Sequence, residues 1–149
     1  MENFLRETVF LHVLSGVVWI GAMLTIRFVV HKNIQSIESV ELRLSKTLAI
    51  TKALFHFVLP FIVILLITAI VMVSGNSNFI VYIKEGIWII MTINFAIMYY
   101  RRYMAQKAFD REDFKEALLY LKPISNIILP INIILGLMAL YFGVILRGV

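Results

Sequence analysis

The chain has 149 residues, 61% of them hydrophobic and 15% charged, with a net charge of +5, a mean hydropathy of +0.92 and no cysteine. Soluble domains run to roughly 45–50% apolar and 25% charged residues, so an ordinary water-soluble fold is excluded. The missing cysteine excludes disulfides, iron–sulfur clusters, thiolate metal sites and covalently attached c-type haem. Nucleic acid is not an expected partner, because the basic residues accompany no recognisable nucleic-acid-binding motif.

Four apolar blocks, at about residues 9–30, 48–73, 79–100 and 124–146, are long enough to cross a bilayer, which takes about 20 residues. Lipid offers the backbone no water to bond, so each block is expected to be a helix. The fold class is therefore all-α, an integral membrane four-helix bundle forming a single domain over residues 1–149.

The first block is preceded by Glu2, Arg6 and Glu7 and is too long for a signal core, so it reads as a span. Projected at about 100° per residue, it aligns His12, Gly16, Trp19, Met23 and Arg27 on one face. Residues 31–47 mix apolar and charged side chains and predict a short interfacial helix. The second block carries His56, with Lys52 and Pro60 on the same face. SGNSN at 74–78 predicts a tight turn. Lys84 and Glu85 interrupt the start of the third block, and Met91 and Met98, which share the Lys84 face, are expected to fill the core. Residues 101–122 predict an extension of the third helix, a turn near Asp110, and a short amphipathic helix ending at Pro123. Asn94, Asn126 and Asn132 are expected to bond between helices, and Gly136, Ala139 and Gly143 form a small-residue stripe suited to close contact, including with a second copy of the chain.

Eleven of the fourteen Lys and Arg flank the first and third connections, leaving only Arg6, Lys84 and Arg147 for the other side. The positive-inside rule then places both termini outside, on the periplasmic face of a bacterial inner membrane, with lipid as the first partner.

An ionisable residue within a span is a functional suspect, since centrally placed charge costs roughly 2.5–3.5 kcal/mol on insertion scales. Without cysteine, the partner that best suits an imidazole nitrogen is a metal, haem iron foremost. Counted from the helix ends, His12 and Lys84 fall at similar depth, so that either the two face one cavity or Lys84 snorkels outward to pair with Glu85 or lie near Arg147. His56 enters from the opposite side, which disfavours a simple sandwich of one haem between His12 and His56. Arg27, Arg101, Arg102 and Lys52 gather at the inner edge, where cations attract a tetrapyrrole's carboxylates or anchor the helices.

The first helix, LHVLSGVVWIGAMLTIRFVVH, resembles the opening helix of the HemJ-type protoporphyrinogen IX oxidases, with His12, Trp19, Gly21, Ala22, Arg27 and His31 carrying the likeness. The third helix, led by Lys84 and closing in YYRRYM, and the fourth, opening PISNIILP with Asn126 and Pro130, resemble the same family. Ile26 and Ile127 depart from its pattern, standing where the family has proline and glutamate. The resemblance implies a non-covalent haem b and redox chemistry on a tetrapyrrole, with electrons passing to quinone or a respiratory partner. It implies His12 as an axial ligand, Lys84 as second ligand or proton carrier, Arg27 as carboxylate anchor, and Gly16, Trp19, His56 and Asn126 around the cofactor. The His…Trp-x-Gly helix is also similar to the copper-resistance D family, which implies instead a non-enzymatic copper carrier using His12, His56 and methionines. A small subunit of a respiratory complex, with the histidines merely packed, is a further alternative.

Overall fold

The computed structural model describes residues 2–73 and 79–146, and throughout these the chain is helix or short turn. Its elements are α1 (Glu2–Thr25), a π-turn (Ile26–Val30), α2 (His31–Gln35), α3 (Val40–Val73), α4 (Phe79–Asp110), α5 (Phe114–Pro123), a second π-turn (Ile124–Ile128) and α6 (Leu129–Ile145). The expected turn at 74–78 and Arg147 lie outside the described residues.

Joined through the π-turns, these make four helices long and apolar enough to span a membrane: Asn3–Gln35, Val40–Met72, Phe79–Asp110 and Phe114–Ile145. At 1.5 Å rise, 32 residues cover about 48 Å, well over the roughly 30 Å of a hydrocarbon core. The spans therefore overrun the sequence-derived blocks, the first at both ends and the other three at the end away from the termini. The separate interfacial helix expected at 31–47 does not form. Its first residues extend α1 and its last ones begin α3, parted by a turn at 36–39 after which the Ser39 hydroxyl accepts from Leu42 N–H at 3.3 Å. Likewise the helix expected to stop at Pro123 runs on into α6. Its start is fixed by Asp113, whose side chain accepts from Glu116 N–H at 2.9 Å, after the left-handed Glu112 (φ 63°). The turn after Asp110 stands as expected.

The four spans form a ring in which α1 packs on α3, α3 on α4, α4 on α6 and α6 on α1. Inward positions recur at alternating steps of three and four residues. On α4 they are Trp88, Met91, Phe95, Met98, Arg102 and Ala105; on α3 they include Leu44, Leu48, Phe55, Val58, Ile62 and Leu65. This is the spacing that keeps one seam facing its neighbours. Met91 and Met98 are core, as expected. The outer faces carry Phe10, Val17, Ile67, Ile70, Ile89, Ile93, Ile134 and Tyr141, all exposed and apolar or aromatic, as lipid-facing surface requires.

The second π-turn has a local cause. Buried positions on the last span step from Ile124 to Leu129, five residues, where an α-helix would allow three or four. The wider turn absorbs the extra residue and holds the seam in register. Leu129 N–H bonds back five residues to the Ile124 carbonyl, and the next donor in that pattern would be residue 130, a proline with no N–H. The Ser125 carbonyl so released is taken by Arg27 Nη1 at 3.1 Å, from the first π-turn. Arg27 thus ties α1 to α6 at the connection end.

Candidate functional site

At the opposite end, where the described chain starts and finishes, the four spans enclose a partly open cavity of about 410 Å³. That volume falls within the roughly 300–1,000 Å³ of small-molecule sites. His12 and Gly16 from α1, Met72 from α3, Lys84, Glu85 and Trp88 from α4, and Gly136 and Gly143 from α6 contribute to its lining, among aliphatic side chains such as Val9, Val13, Leu140 and Val144. His12 and Lys84 do face one cavity.

His12 is 8% exposed, and its Nδ1 lies 2.9 Å from Thr68 Oγ1 on α3. Thr68 spends its hydroxyl proton on carbonyls of its own helix, Ile64 at 2.8 Å and Leu65 at 3.0 Å. It therefore accepts, and His12 Nδ1–H donates. In the neutral ring this fixes the tautomer: the proton is on Nδ1 and the lone pair is on Nε2. Metal-binding histidines use the same arrangement, the second nitrogen held by a hydrogen bond that sets ring orientation and basicity.

Trp88 forms the wall beside it. Its ring meets His12 edge-on at 6.3 Å and lies 5.2 Å from Trp19, which in turn meets Phe95 at 6.0 Å. Trp88 is 7% exposed, and its indole N–H has no acceptor. A buried donor left unmade costs about 1–3 kcal/mol. Sequence reasoning did not single out Trp88; its place at the head of the α4 seam, four residues after Lys84, was the available signal.

The other sequence-derived residues, Gly16 excepted, lie elsewhere. Trp19 is packed in the core behind Trp88 and borders only a narrow cleft with Met23 and Phe55. Gly16 lines the cavity, and a Cβ there would sit 3.7 Å from Leu65 Cδ1, ordinary packing distance. Arg27 is fifteen residues along α1 from His12, about 22 Å at 1.5 Å per residue, and is engaged by the Ser125 carbonyl. Asn126 is exposed in the second π-turn, near the same connection end. His56 is exposed on α3; its Nδ1–H donates to the Lys52 carbonyl at 2.8 Å, and its ring lies 6.0 Å from Tyr99. It sits twelve residues from Thr68, the partner of His12, about 18 Å along the helix. The two histidines are not brought together. Among the described residues no three His, Asp or Glu side chains gather as a metal-binding group.

The small-residue stripe turns inward. A Cβ on Gly136 would meet Ile20 Cγ1 at 2.8 Å and Met91 Cε at 3.3 Å, and one on Gly143 would meet Lys84 Nζ at 3.6 Å. These residues hold α6 against its own neighbours. The exposed face of α6 carries Ile134, Leu137 and Tyr141. Asn132, fully buried, accepts from Asn94 Nδ2–H at 2.8 Å and donates to the Met91 carbonyl at 3.1 Å, the interhelical role expected of both. Arg102, read from sequence as an edge anchor, is 9% exposed and donates through Nη2 to the Leu48 carbonyl at 3.1 Å and Gln106 Oε1 at 3.0 Å, pinning α4 to α3.

Comparison of the chain with protein-family models, with curated proteins and with solved structures returns no match. The chemistry of the cavity is therefore the ground for a functional reading.

Proposed function

We propose that this multi-pass membrane protein holds a tetrapyrrole, haem b in the simplest case, in the cavity between α1, α3, α4 and α6. The observation that carries the reading is the His12–Thr68 pair: a buried imidazole at the cavity wall whose Nδ1–H is committed, so that Nε2 is the ligand atom. The donor set favours a macrocycle over a bare ion. No three His, Asp or Glu side chains gather among the described residues to hold copper or zinc, whereas haem iron arrives with four ring nitrogens and asks the protein for fewer ligands. For the same reason a copper carrier built on His12 and His56 together gains no support, with the two rings about 18 Å apart in helix level.

In this reading His12 Nε2 would hold the haem iron, Thr68 would keep the ring in that tautomer, and the aliphatic walls would keep water from the macrocycle. Lys84, at the same cavity, would either bind the iron as a neutral amine or, as an ammonium, carry protons and offer positive charge to an acidic edge. Arg27 acts at the other end as a clamp between helices, so a carboxylate-anchoring role passes from Arg27 to residues of the cavity. The bound group would supply the electron chemistry, and the protein orientation and electrostatics. Oxidation of protoporphyrinogen with electrons passed to quinone or a respiratory partner remains the activity that the resemblance implies. The balance of Lys and Arg favours a bacterial inner membrane with both termini periplasmic.

The test is an absorption spectrum of protein purified from its membrane, oxidised and reduced, for the wild type, His12→Ala and His56→Ala. A Soret band in the wild type and in His56→Ala, lost in His12→Ala, is the expected result. Protein that takes up no haem, or a His12→Ala variant with undiminished haem, overturns the proposal.

A further inference from the structure

α1 and α6 pack together along a seam that is closed over one half only. At the connection end Arg27 Nη1 donates to the Ser125 carbonyl, and further along Ile20 fills the space over Gly136, where a Cβ would lie 2.8 Å from Ile20 Cγ1. Ile20 is accordingly only 4% exposed. Beyond it, toward the end where the described chain starts and finishes, the same flanks carry Val13, two turns before Ile20, and Leu140 and Val144, one and two turns after Gly136. In a closed seam these three would interlock as Ile20 and Gly136 do. They are instead between 37% and 51% exposed, and all three line the cavity. A side chain that belongs to the cavity wall and is also open to the outside stands at the mouth. The mouth therefore lies between α1 and α6, and it extends about 10 Å along α1 from Ile20 to Val13 at 1.5 Å per residue.

The rim decides what lies outside it. Val13, Leu140 and Val144 are aliphatic, and the surface flanking them is Phe10 and Val17 on α1 with Leu137 and Tyr141 on α6, all exposed. Both stretches fall within spans of bilayer length. A gap with such edges is costly in water, whereas acyl chains cover it as they cover the rest of the bundle. The ionisable groups of the cavity lie on other walls, with His12 bonded to Thr68 on α3 and Lys84 and Glu85 on α4. We propose that the cavity is filled sideways from the bilayer through the α1–α6 seam, so that its ligand is a largely apolar molecule already dissolved in the leaflet at the terminal end. This rests on the tetrapyrrole reading for the identity of that molecule, a flat macrocycle with an apolar body. Val13, Leu140 and Val144 then govern the rate of entry and exit more than the affinity.

The experiment uses the full chain reconstituted in lipid vesicles. Because the protein has no cysteine, Val13→Cys, Val144→Cys and the off-seam control Val17→Cys can each carry a single spin label. Relaxation of each label is compared for oxygen, which concentrates in lipid, and for a water-soluble nickel chelate. Oxygen is expected to dominate at positions 13 and 144 as it does at 17. Dominance of the nickel chelate, meaning a mouth open to water, or shielding from both reagents, as under a second copy of the chain, overturns the route. The second measurement is the rate of haem uptake from the bilayer and of its release into excess protein-free vesicles, followed at the Soret band. In Val13→Trp and Val144→Trp both rates are expected to fall about tenfold with Kd unchanged within about threefold, since an obstacle in the path raises one barrier common to both directions. Val17→Trp is expected to leave both rates unaltered. Should the tryptophan variants fail to fold, Val144→Cys alkylated after reconstitution with a bulky apolar maleimide supplies the obstacle. Unchanged rates in the obstructed proteins overturn the lateral route and leave the tetrapyrrole reading standing. A wild type that takes up no haem overturns the tetrapyrrole reading, and the spin labels then decide the route by themselves.

Discussion

Replacing Thr68 by valine keeps the shape of the side chain and removes the oxygen that His12 Nδ1–H donates to. In the folded protein that bond is 2.9 Å, between two buried groups within a membrane-spanning bundle. The variant has two ways to respond. If the proton stays on Nδ1, a buried donor goes unmade, at a cost of about 1–3 kcal/mol. If the ring changes tautomer, the proton moves to Nε2 and the lone pair turns toward the methyl groups of Val, away from the cavity. Either response weakens an axial ligand. Loss of the partner that orients a metal-bound histidine typically lowers metal affinity by about 10–100-fold, or roughly 1.4–2.7 kcal/mol. The assay is haem titration of purified apo-protein, followed at the Soret band, for wild type, Thr68→Val and Thr68→Ser. Thr68→Ser, which retains a hydroxyl, is expected to recover most of the affinity. A Thr68→Val protein that binds haem as tightly as the wild type, with the same spectrum, would refute the orienting role of Thr68 and the tautomer argument with it.

Three further outcomes are expected. Arg27→Leu leaves the Ser125 carbonyl without its donor and should lower thermal or denaturant stability by about 1–3 kcal/mol, while haem affinity at the far end changes little. A double-mutant cycle on Asn94→Ala and Asn132→Ala should return a coupling of about 0.6–1.7 kcal/mol, the range for hydrogen bonds between membrane helices, and strict additivity would remove the bond from the account of stability. Gly136→Ala forces a methyl to within 2.8 Å of Ile20 and should cost about 1–3 kcal/mol in melting experiments, whereas Gly143→Ala, at 3.6 Å from the Lys84 ammonium, should be tolerated.

The architecture was legible because lipid is an unforgiving solvent for the backbone. Four apolar runs of bilayer length leave helices as the economical solution, and short polar breaks make neighbours antiparallel. The inward face of the first helix was also legible: His12, Gly16, Trp19 and Met23 are all buried, as a 3.6-residue period requires. Because rise per residue is fixed, depth counting allowed His12 and Lys84 one cavity and set His56 at a different depth, although His56 was still counted a ligand. What it could not give was azimuth across helices. The glycine stripe on α6 reads equally well as an outer or an inner face, and only the packing of Ile20 and Met91 against Gly136 decides.

The ends of the bundle escaped for a related reason. Charge composition at 31–47 suggested a separate surface helix and Pro123 a helix end, but hydrogen bonds within a helix are local and continue wherever no residue stops them. Arg27 was read by its charge as an anchor for a carboxylate. Its partner is a carbonyl ninety-eight positions away, released by a π-turn and by Pro130, and no one-dimensional pattern carries that relation.

The sequence alone determined the solvent, the number of spans, their order and which side chains share a helix face, since each follows from composition and the geometry of a single helix. The tertiary structure decided which faces meet. It set Thr68 against His12 and so chose the imidazole tautomer, placed an unsatisfied Trp88 beside it, and sent Arg27 to the opposite end. Those choices depend on rotation and register between helices, which are fixed by the fit of many side chains at once.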